Sequence, residues 1–430
     1  IICMEKENQY DVIVAGGGPS GIAAAVSSAR LGARTLLLER YGIVGGMMTS
    51  GYVNPILGLA EPGTMRDEVL DMLGATWIET RNGKEMSVDT EQAKYLLLKF
   101  LKDAGVEIAL QTPVVDVIKE NNALKGVVVS TQSGLKTILG RVIVDATGDG
   151  MVAALSGAEW EMGREQDGKC QPTSLEFTVT GVDEERGFTC WGGTDPVKLP
   201  NGMKYADFCK QKNAEGELPE SVSIVRLHRT AAPGERSVNA TQANGYNTLT
   251  VSGAFEAEYE LRGQINTVID FLRKYAPGFE NCRLKATGST LGVRESRRII
   301  GDYVINDEDV ETGTRKDDVV VHKAWFLIDI HNPSGGGQAE GHSQPAIPYD
   351  IPYRSLLPAG LENILTCGRC ISGTHRAHAS YRVMGVCLAT GQAAGIAAAL
   401  SAKEGVTPRA LDIKALQSAL IEAGAVLFDK

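Results

Sequence analysis

A glycine-rich turn between a short apolar strand and an alanine-rich helix is the feature that most restricts the fold of this chain. Residues 11–15 (DVIVA) predict a buried strand, residues 16–21 (GGGPSG) a turn, and residues 22–31 a helix. A second strand at 35–38 follows and ends at Glu39. Strand, helix and strand in such a short stretch form a βαβ unit, so the sequence predicts a parallel sheet covered by helices.

Within this turn, three glycines have the spacing of the dinucleotide-binding fingerprint. Gly16 permits the tight turn, Gly18 lets a pyrophosphate approach the backbone, and Gly21 lets the helix pack closely on the strand. The free N–H groups at the helix N-terminus attract the phosphates. Glu39 stands where its carboxylate can accept hydrogen bonds from ribose hydroxyls. The pattern predicts a dinucleotide site, and its alternative is a chance glycine-rich turn.

The remaining patterns predict a second, inserted unit. The predicted elements are helix 91–103, strands 106–110, 113–119, 124–130, 135–139 and 141–144, strands 174–180, 221–227 and 247–251, helix 254–275, strands 320–330 and 363–367, and helices 383–402 and 412–423. We therefore predict an α/β fold with a Rossmann-like domain, a parallel sheet plus a β-meander, formed by residues 1–158 and 358–430. An inserted α+β substrate domain covers residues 159–357.

Composition excludes several classes of protein. Glycine is abundant at 49 of 430 residues, but proline is ordinary at 16 and hydrophobic residues make up 43%, which indicates a globular chain. The net charge of −10, without a block of basic residues, argues against a nucleic-acid partner. Eight scattered cysteines indicate a reduced, cytoplasmic protein. The chain begins at Ile1, and we expect Met4 to be the natural start, with a preceding segment as the alternative.

Residues 383–402 are uncharged and could span a membrane by length. Gly391 and Gly395 also form a GxxxG motif, which membrane helices use to pack. The segment is nevertheless rich in alanine and glycine, carries Gln392 near its middle, and has no basic or aromatic flanks. We therefore expect no membrane span, and we expect a helix buried against the sheet.

Three separated segments resemble one known family of proteins. Residues 11–51 resemble the start of the glutathione-reductase-type FAD-dependent oxidoreductases, and residues 142–150 (VIVDATGDG) resemble their second FAD contact. Residues 351–400 resemble the C-terminal block of a large, mostly uncharacterised subfamily. The resemblance implies noncovalent FAD and hydride transfer between a small-molecule substrate and flavin N5. The sequence has no second GxGxxG for NAD(P)H, so we expect a separate, unidentified electron acceptor or donor.

The resemblance also implies which residues contact the cofactor. In chain order they are Gly16, Gly18, Pro19, Ser20, Gly21, Glu39, Arg40, Gly46, Met47, Thr49, Val115, Ala146, Gly148, Asp149, Gly368, Arg369, Val383 and Met384. Arg369 departs from the family pattern, in which an aspartate binds a ribityl hydroxyl. Either Arg369 pairs with phosphate, or another group takes the ribityl contact. The N-terminus of the helix at 383–402 would point at the flavin pyrimidine edge, where its dipole stabilises negative charge.

Hydride transfer needs a base for the substrate proton and cations for an anionic group. The candidates are His331, Arg294, Arg354, Arg382, His375 and His378. His331 follows a predicted strand and precedes a glycine-rich loop, and its alternative is an ordinary hydrogen-bonded loop histidine. Arg294 could instead pair internally with Glu295. The loop at 335–337 is predicted to be a mobile cover over the substrate.

Two further functions remain open at this stage. Cys367 and Cys370 form a CxxC motif, which supplies two ligands and therefore no zinc site, but could act as the redox dithiol of a flavin-linked thiol-disulfide reductase. A non-redox biosynthetic enzyme of the thiazole-synthase type would use the same dinucleotide site. The acidic charge disfavours an FAD-dependent RNA-modifying protein.

Overall fold

The computed structural model describes residues 9–80 and 83–429. The strands are β1 (Gln9–Ala15), β2 (Thr35–Leu38), β3 (Thr76–Thr80), β4 (Gly83–Ser87), β5 (Glu107–Ala109), β6 (Val114–Glu120), β7 (Ala123–Thr131), β8 (Gly134–Asp145), β9 (Trp160–Glu161), β10 (Phe177–Thr180), β11 (Arg226–Arg229), β12 (Glu235–Asn239), β13 (Arg283–Thr287), β14 (Arg298–Ile299), β15 (Val319–Ala324), β16 (Tyr349–Pro352) and β17 (Ile364–Thr366). The helices are α1 (Pro19–Arg30), α2 (Met65–Met72), α3 (Thr90–Asp103), α4 (Met151–Leu155), α5 (Tyr205–Ala214), α6 (Val251–Tyr275), α7 (Asp307–Thr312), α8 (His375–Tyr381), α9 (Met384–Glu404) and α10 (Ile413–Glu422).

The main sheet confirms the predicted fold class. Its strand order is β5-β2-β1-β8-β7-β6, and β17 also pairs with β8. The strands β5, β2, β1, β8 and β17 run parallel, whereas β6, β7 and the first half of β8 form the antiparallel meander. The C-terminal segment therefore completes a sheet that the N-terminal segment begins, as the sequence predicts.

The two predicted strands at 135–139 and 141–144 are one continuous strand, β8, so the predicted break between them is wrong. A Cβ at Gly140 would lie 2.7 Å from Cδ1 of Ile13 on β1. Glycine at this position therefore reflects close packing between neighbouring strands and does not mark a turn.

Helix α9 packs directly on α1. A Cβ at Gly391 would lie 2.1 Å from the Ser20 carbonyl oxygen, and one at Gly395 would lie 2.2 Å from that of Ala24. Within the described residues, α9 is the one helix long and apolar enough to cross a membrane, and most of it is buried inside the fold. Packing against α1 and the sheet accounts for the small, apolar residues of this helix.

A second antiparallel sheet, with the order β11-β12-β10-β13, has its own hydrophobic core. This core lies within residues 175–282, and α6 contributes one face of it. Residues 305–357 instead contribute side chains to the core around α1 and α9. The domain boundaries at 158/159 and 357/358 stay a prediction.

The strand predicted at 247–251 is wrong, because these residues form the turn that begins α6. The side chain of Thr250 accepts a hydrogen bond from the backbone N–H of Gly253 at 3.1 Å and so caps the helix. The Asn247 side chain accepts one from the backbone N–H of Leu249 at 3.1 Å. These side-chain hydrogen bonds to the backbone favour a helix start over the strand that the Thr, Leu and Val residues predict.

Candidate active site

The glycine-rich turn lies at the carboxyl end of β1, where open parallel sheets bind ligands. Gly16 has a φ of +102°, which favours glycine. A Cβ at Gly21 would lie 1.8 Å from the Gly16 carbonyl oxygen, so Gly21 is required for the contact between α1 and β1. A Cβ at Gly18 would meet no atom within 4 Å. The turn is therefore tightly packed except over Gly18, where space is left for a ligand.

A cavity of about 470 Å³ extends from this turn to the second sheet, a size typical of ligand sites. It is lined by residues that are far apart in the sequence. Of the predicted residues, those that line it are Gly16, Gly18, Pro19, Ser20, Glu39, Arg40, Gly46, Met47, Ala146, Gly148, Asp149, Arg294, His331, Arg369, Arg382, Val383 and Met384. The fold thus brings the three family-like segments to one cavity.

Gly368 and Thr49 support the cavity wall from behind. Gly368 has a φ of +76°, and its Cβ would lie 2.5 Å from the Ser20 hydroxyl, so it lets the end of β17 approach the glycine-rich turn. The hydroxyl of Thr49 is buried and donates to the Val44 carbonyl oxygen at 2.6 Å. Gly368 therefore contacts the glycine-rich turn, and Thr49 fixes the segment 44–49, which carries the lining residues Gly46 and Met47.

Val115 is not among the lining residues, although its neighbour Val114 is. The side chain of Val115 is 41% exposed, and the ladder between β6 and β7 shifts register between Val114 and Asp116. Thr112, Pro113 and Val114 line the cavity in place of Val115, and the cofactor contact of Val115 stays a prediction.

Glu39 is buried at the end of β2 and lines the cavity. Its carboxylate accepts hydrogen bonds from the backbone N–H of Gly17 at 2.6 Å and of Tyr41 at 2.8 Å. Burial raises the pKa of this carboxyl above its usual value, against the lowering effect of these two hydrogen bonds. The contact of Glu39 with ribose stays a prediction.

Arg369 is ion-paired in the cavity wall. Its Nη2 lies 2.7 Å from Oδ1 of Asp149, and Nη1 of Arg40 lies 3.6 Å from the other oxygen of the same carboxylate. Burial would raise the pKa of Asp149, but the charges of Arg369 and Arg40 hold it below its usual value. The residue that departs from the family pattern is therefore tied to a neighbouring predicted cofactor residue.

His331 and Asp329 face each other at the other end of the cavity. Nε2 of His331 lies 3.2 Å from Oδ2 of Asp329, and Nη2 of Arg382 lies 3.1 Å from the same oxygen. Burial and the charge of Arg294 lower the pKa of His331 to about 3, so its imidazole is neutral at neutral pH. Although burial would raise the pKa of Asp329, its interaction with His331 and the charges of Arg382 and Arg226 hold that pKa well below its usual value.

Glu176 lines the same end of the cavity and is absent from the predicted residues. It is buried, its Oε2 has no hydrogen-bond partner in the described part of the chain, and burial raises its pKa to about 8. A signal was present in the sequence, since Leu175, Phe177 and Val179 alternate with polar residues and point into the second core. Because side chains alternate along an extended chain, Glu176 faces away from the second core, and in the structure it lines the cavity.

The titration of Glu176 gives a testable dependence of stability on pH. Folded Glu176 keeps its proton up to pH about 8, whereas the unfolded chain loses it near 4.5. The free energy of unfolding of the wild-type protein should therefore decrease between pH 4.5 and about 8, whereas Glu176→Gln lacks this titration. The difference between the two proteins should change by an amount on the order of a few kcal/mol over this interval. Urea denaturation of the FAD-free protein at several pH values measures it. Glu165→Gln, which alters an exposed carboxylate, should follow wild type, and a constant difference between wild type and Glu176→Gln would contradict the assignment.

Three predicted catalytic residues lie outside the cavity lining. Arg354 is half-exposed and pairs with Asp318, with Nε 2.9 Å from Oδ2. Nδ1 of His375 lies 2.9 Å from Oε1 of Glu295, which also pairs with Arg298. His378 is fully buried, and neither ring nitrogen has a hydrogen-bond partner among residues 9–80 and 83–429. Their existing partners or complete burial remove them from the set that we propose for catalysis.

The CxxC cysteines also lie outside the lining and are fully buried. Burial raises the pKa of both Cys367 and Cys370, which disfavours the reactive thiolate. The loop at 335–337, which the sequence predicts as a mobile cover over the substrate, is likewise not part of the lining. The Gly335 carbonyl oxygen accepts a hydrogen bond from the Asn244 side chain at 3.1 Å. Within the described residues, no group of three or more His, Cys, Asp or Glu side chains could hold a metal ion.

Comparison with known proteins identifies a family for nearly the whole chain. The family model described as FAD dependent oxidoreductase matches residues 11–420. A thiamine thiazole synthase from Aeropyrum pernix is 31% identical over 197 residues, which cover 43% of this chain and 70% of that protein.

Two solved structures share the fold at low sequence identity. A geranylgeranyl bacteriochlorophyll reductase-like protein from Thermoplasma acidophilum superposes with a TM-score of 0.51 at 12% identity, covering 96% of this chain and 84% of that one. A p-nitrophenol 4-monooxygenase from Pseudomonas putida has a TM-score of 0.50 at 12% identity, covering 95% and 83%. At this identity the likeness concerns the fold alone.

Proposed function

The chain belongs to the FAD dependent oxidoreductase family, and we propose that it transfers a hydride between a small-molecule substrate and N5 of noncovalently bound FAD. The observation that carries the proposal is a single cavity with two different ends. Gly18 and Glu39 lie at one end, and His331 and Glu176 lie at the other. The glutathione-reductase-type subfamily and a cytoplasmic location are part of the same proposal.

The cofactor of this chain is FAD, and the residues present fit it. The open space over Gly18 allows a diphosphate to reach the backbone at the N-terminus of α1, where N–H groups are free to donate. The buried carboxylate of Glu39 supplies an acceptor for ribose hydroxyls. Val383 and Met384 bring the N-terminus of α9 to the cavity wall, where its dipole favours negative charge on the flavin.

When bound, FAD accepts or donates a hydride at N5. In the oxidative direction the substrate loses that hydride and a proton, two electrons in total. We propose that the imidazole of His331 takes the proton, and that Asp329 orients the ring through its contact with Nε2 and stabilises the imidazolium that forms, which opposes the effect of burial and Arg294 on the pKa of His331. Arg382 holds Asp329 ionised. A separate redox partner would exchange the electrons with the cofactor, since the sequence has no second GxGxxG for NAD(P)H.

Two measurements test this proposal. Protein reconstituted with FAD should be yellow and should bleach on anaerobic addition of a substrate. His331→Ala should bind FAD with unchanged affinity but reduce it roughly 10²- to 10⁴-fold more slowly, the range expected for loss of a general base. Stopped-flow absorbance measures the rate, and the exposed His342→Ala is the matched control. Unchanged reduction kinetics in His331→Ala would remove this residue from the mechanism.

The thiazole-synthase type remains a second candidate because of the 31% identity to the Aeropyrum pernix enzyme. That match covers less than half of this chain. The two functions differ in their bound molecule, since a thiazole-synthase-type enzyme would hold an adduct derived from NAD. Mass spectrometry of the ligand released by heat from purified protein separates them.

A further inference from the structure

We propose that the substrate carries a carboxylate, and that Arg294 and Glu176 bind it at the far end of the cavity from the glycine-rich turn. The proposal names a substrate class and rests on the proposed function. Its basis is a cation and a carboxyl group that line the same cavity, feel each other's charge, and make no close ion pair among the described residues. Ser174 also lines the cavity, and its hydroxyl accepts a hydrogen bond from Arg294.

Arg294 is bound to the protein only through neutral acceptors. Its Nη1 donates to the Pro172 carbonyl oxygen at 2.8 Å and to the Ser174 hydroxyl at 2.5 Å. In the part of the chain that the structure describes, no carboxylate lies within ion-pairing distance of it, and Nη2 and Nε make no hydrogen bond. These two donors of the planar fork can bind both oxygens of one carboxylate.

The charges around this end of the cavity do not balance. Three arginines, Arg294, Arg382 and Arg226, act on one another here, whereas Asp329 supplies one carboxylate and is already paired with Arg382. Burial, followed by the charge of Arg382, lowers the pKa of Arg294 to about 9, as expected for a partly buried cation without its own counter-ion. A buried charge of this kind is stabilised when an anion pairs with it.

Glu176 completes the subsite as a hydrogen-bond donor. With a pKa raised by burial to about 8, it is protonated at neutral pH and does not neutralise Arg294. Its Oε2 is buried and unpartnered in the described residues. A protonated carboxyl can donate to a substrate carboxylate. Anion binding would also offset the charge of Arg294, which is one of the causes of the low pKa of His331.

The test uses the FAD-loaded protein and follows the flavin absorbance spectrum, so it needs no turnover. The probes are acetate, pyruvate and benzoate, each titrated beside its amide. We expect at least one carboxylate to bind about 10- to 100-fold more tightly than its amide, the range of a charge-assisted hydrogen bond. Arg294→Gln should abolish this preference and leave FAD bound. Arg186→Gln, which alters an exposed arginine, should keep it.

The inference is overturned if the amides bind as tightly as the carboxylates, if Arg294→Gln retains the carboxylate preference, or if none of the three carboxylates perturbs the spectrum. Loss of FAD from Arg294→Gln would instead assign Arg294 to the cofactor and overturn the inference as well. Failure of the wild-type protein to bind FAD would contradict the proposed function itself, and that failure appears before any probe is added.

Discussion

Replacement of Gly18 by alanine is expected to leave the fold intact and to weaken FAD binding roughly 10- to 100-fold. Gly18 has a φ of −74° and a ψ of −176°, an extended conformation that alanine adopts freely. The new Cβ would meet no protein atom within 4 Å. It would stand in the space through which a diphosphate reaches the backbone of the turn, and a steric conflict of this size costs about 1 to 3 kcal/mol.

Isothermal titration with FAD measures the affinity, and thermal melting of the FAD-free protein measures the fold. Gly193→Ala is the matched control, since its Cβ also meets open space but lies away from the cavity. Gly16→Ala should behave differently, because its Cβ would lie 2.4 Å from the Ala146 carbonyl oxygen and should damage the fold itself. Full FAD affinity in Gly18→Ala would place the diphosphate elsewhere.

Gly391→Ala is expected to destabilise the protein by about 2 to 3 kcal/mol, which reverses the usual effect of this substitution in a helix. The added Cβ would lie 2.1 Å from the Ser20 carbonyl oxygen, so α9 and α1 would have to separate. Because Ser20 belongs to the glycine-rich turn, FAD affinity should fall with stability. Urea denaturation of the FAD-free protein measures the loss.

Gly263→Ala provides the control for this sign reversal. Gly263 lies on the exposed face of α6, and its Cβ would meet nothing within 4 Å. Alanine should therefore stabilise the protein there by about 0.5 to 1 kcal/mol. If Gly391→Ala were as stable as wild type, the close contact between α9 and α1 would not be required.

Local patterns in the sequence predict much of the fold correctly. The βαβ unit, the meander and the buried helix at 383–402 all follow from hydrophobic period, glycine position and length. The errors occur where one residue has two local interpretations. The sequence pattern predicts a strand break at Gly140, which is a packing position, and a strand at 247–251, where the chain turns into a helix cap.

The candidate site also has one part that follows from local sequence patterns and one part that does not. The motif residues Gly16, Gly18 and Glu39 stand where the sequence expects them, because a turn between a strand and a helix is a local structure. The polar end of the cavity is not local. Glu176 and His331 come from segments about 150 residues apart, and only their packing decides which of them lack partners.

The sequence by itself therefore determined the glycine-rich turn at which we propose that the dinucleotide binds, since its glycines act through backbone geometry within a few residues. The tertiary structure alone decided the other end. It paired Asp329 with Arg382, left Arg294 without a carboxylate among the described residues, and buried Glu176. The physical reason is that burial and charge balance depend on groups distant in the chain, and these set the pKa values on which the proposed chemistry depends.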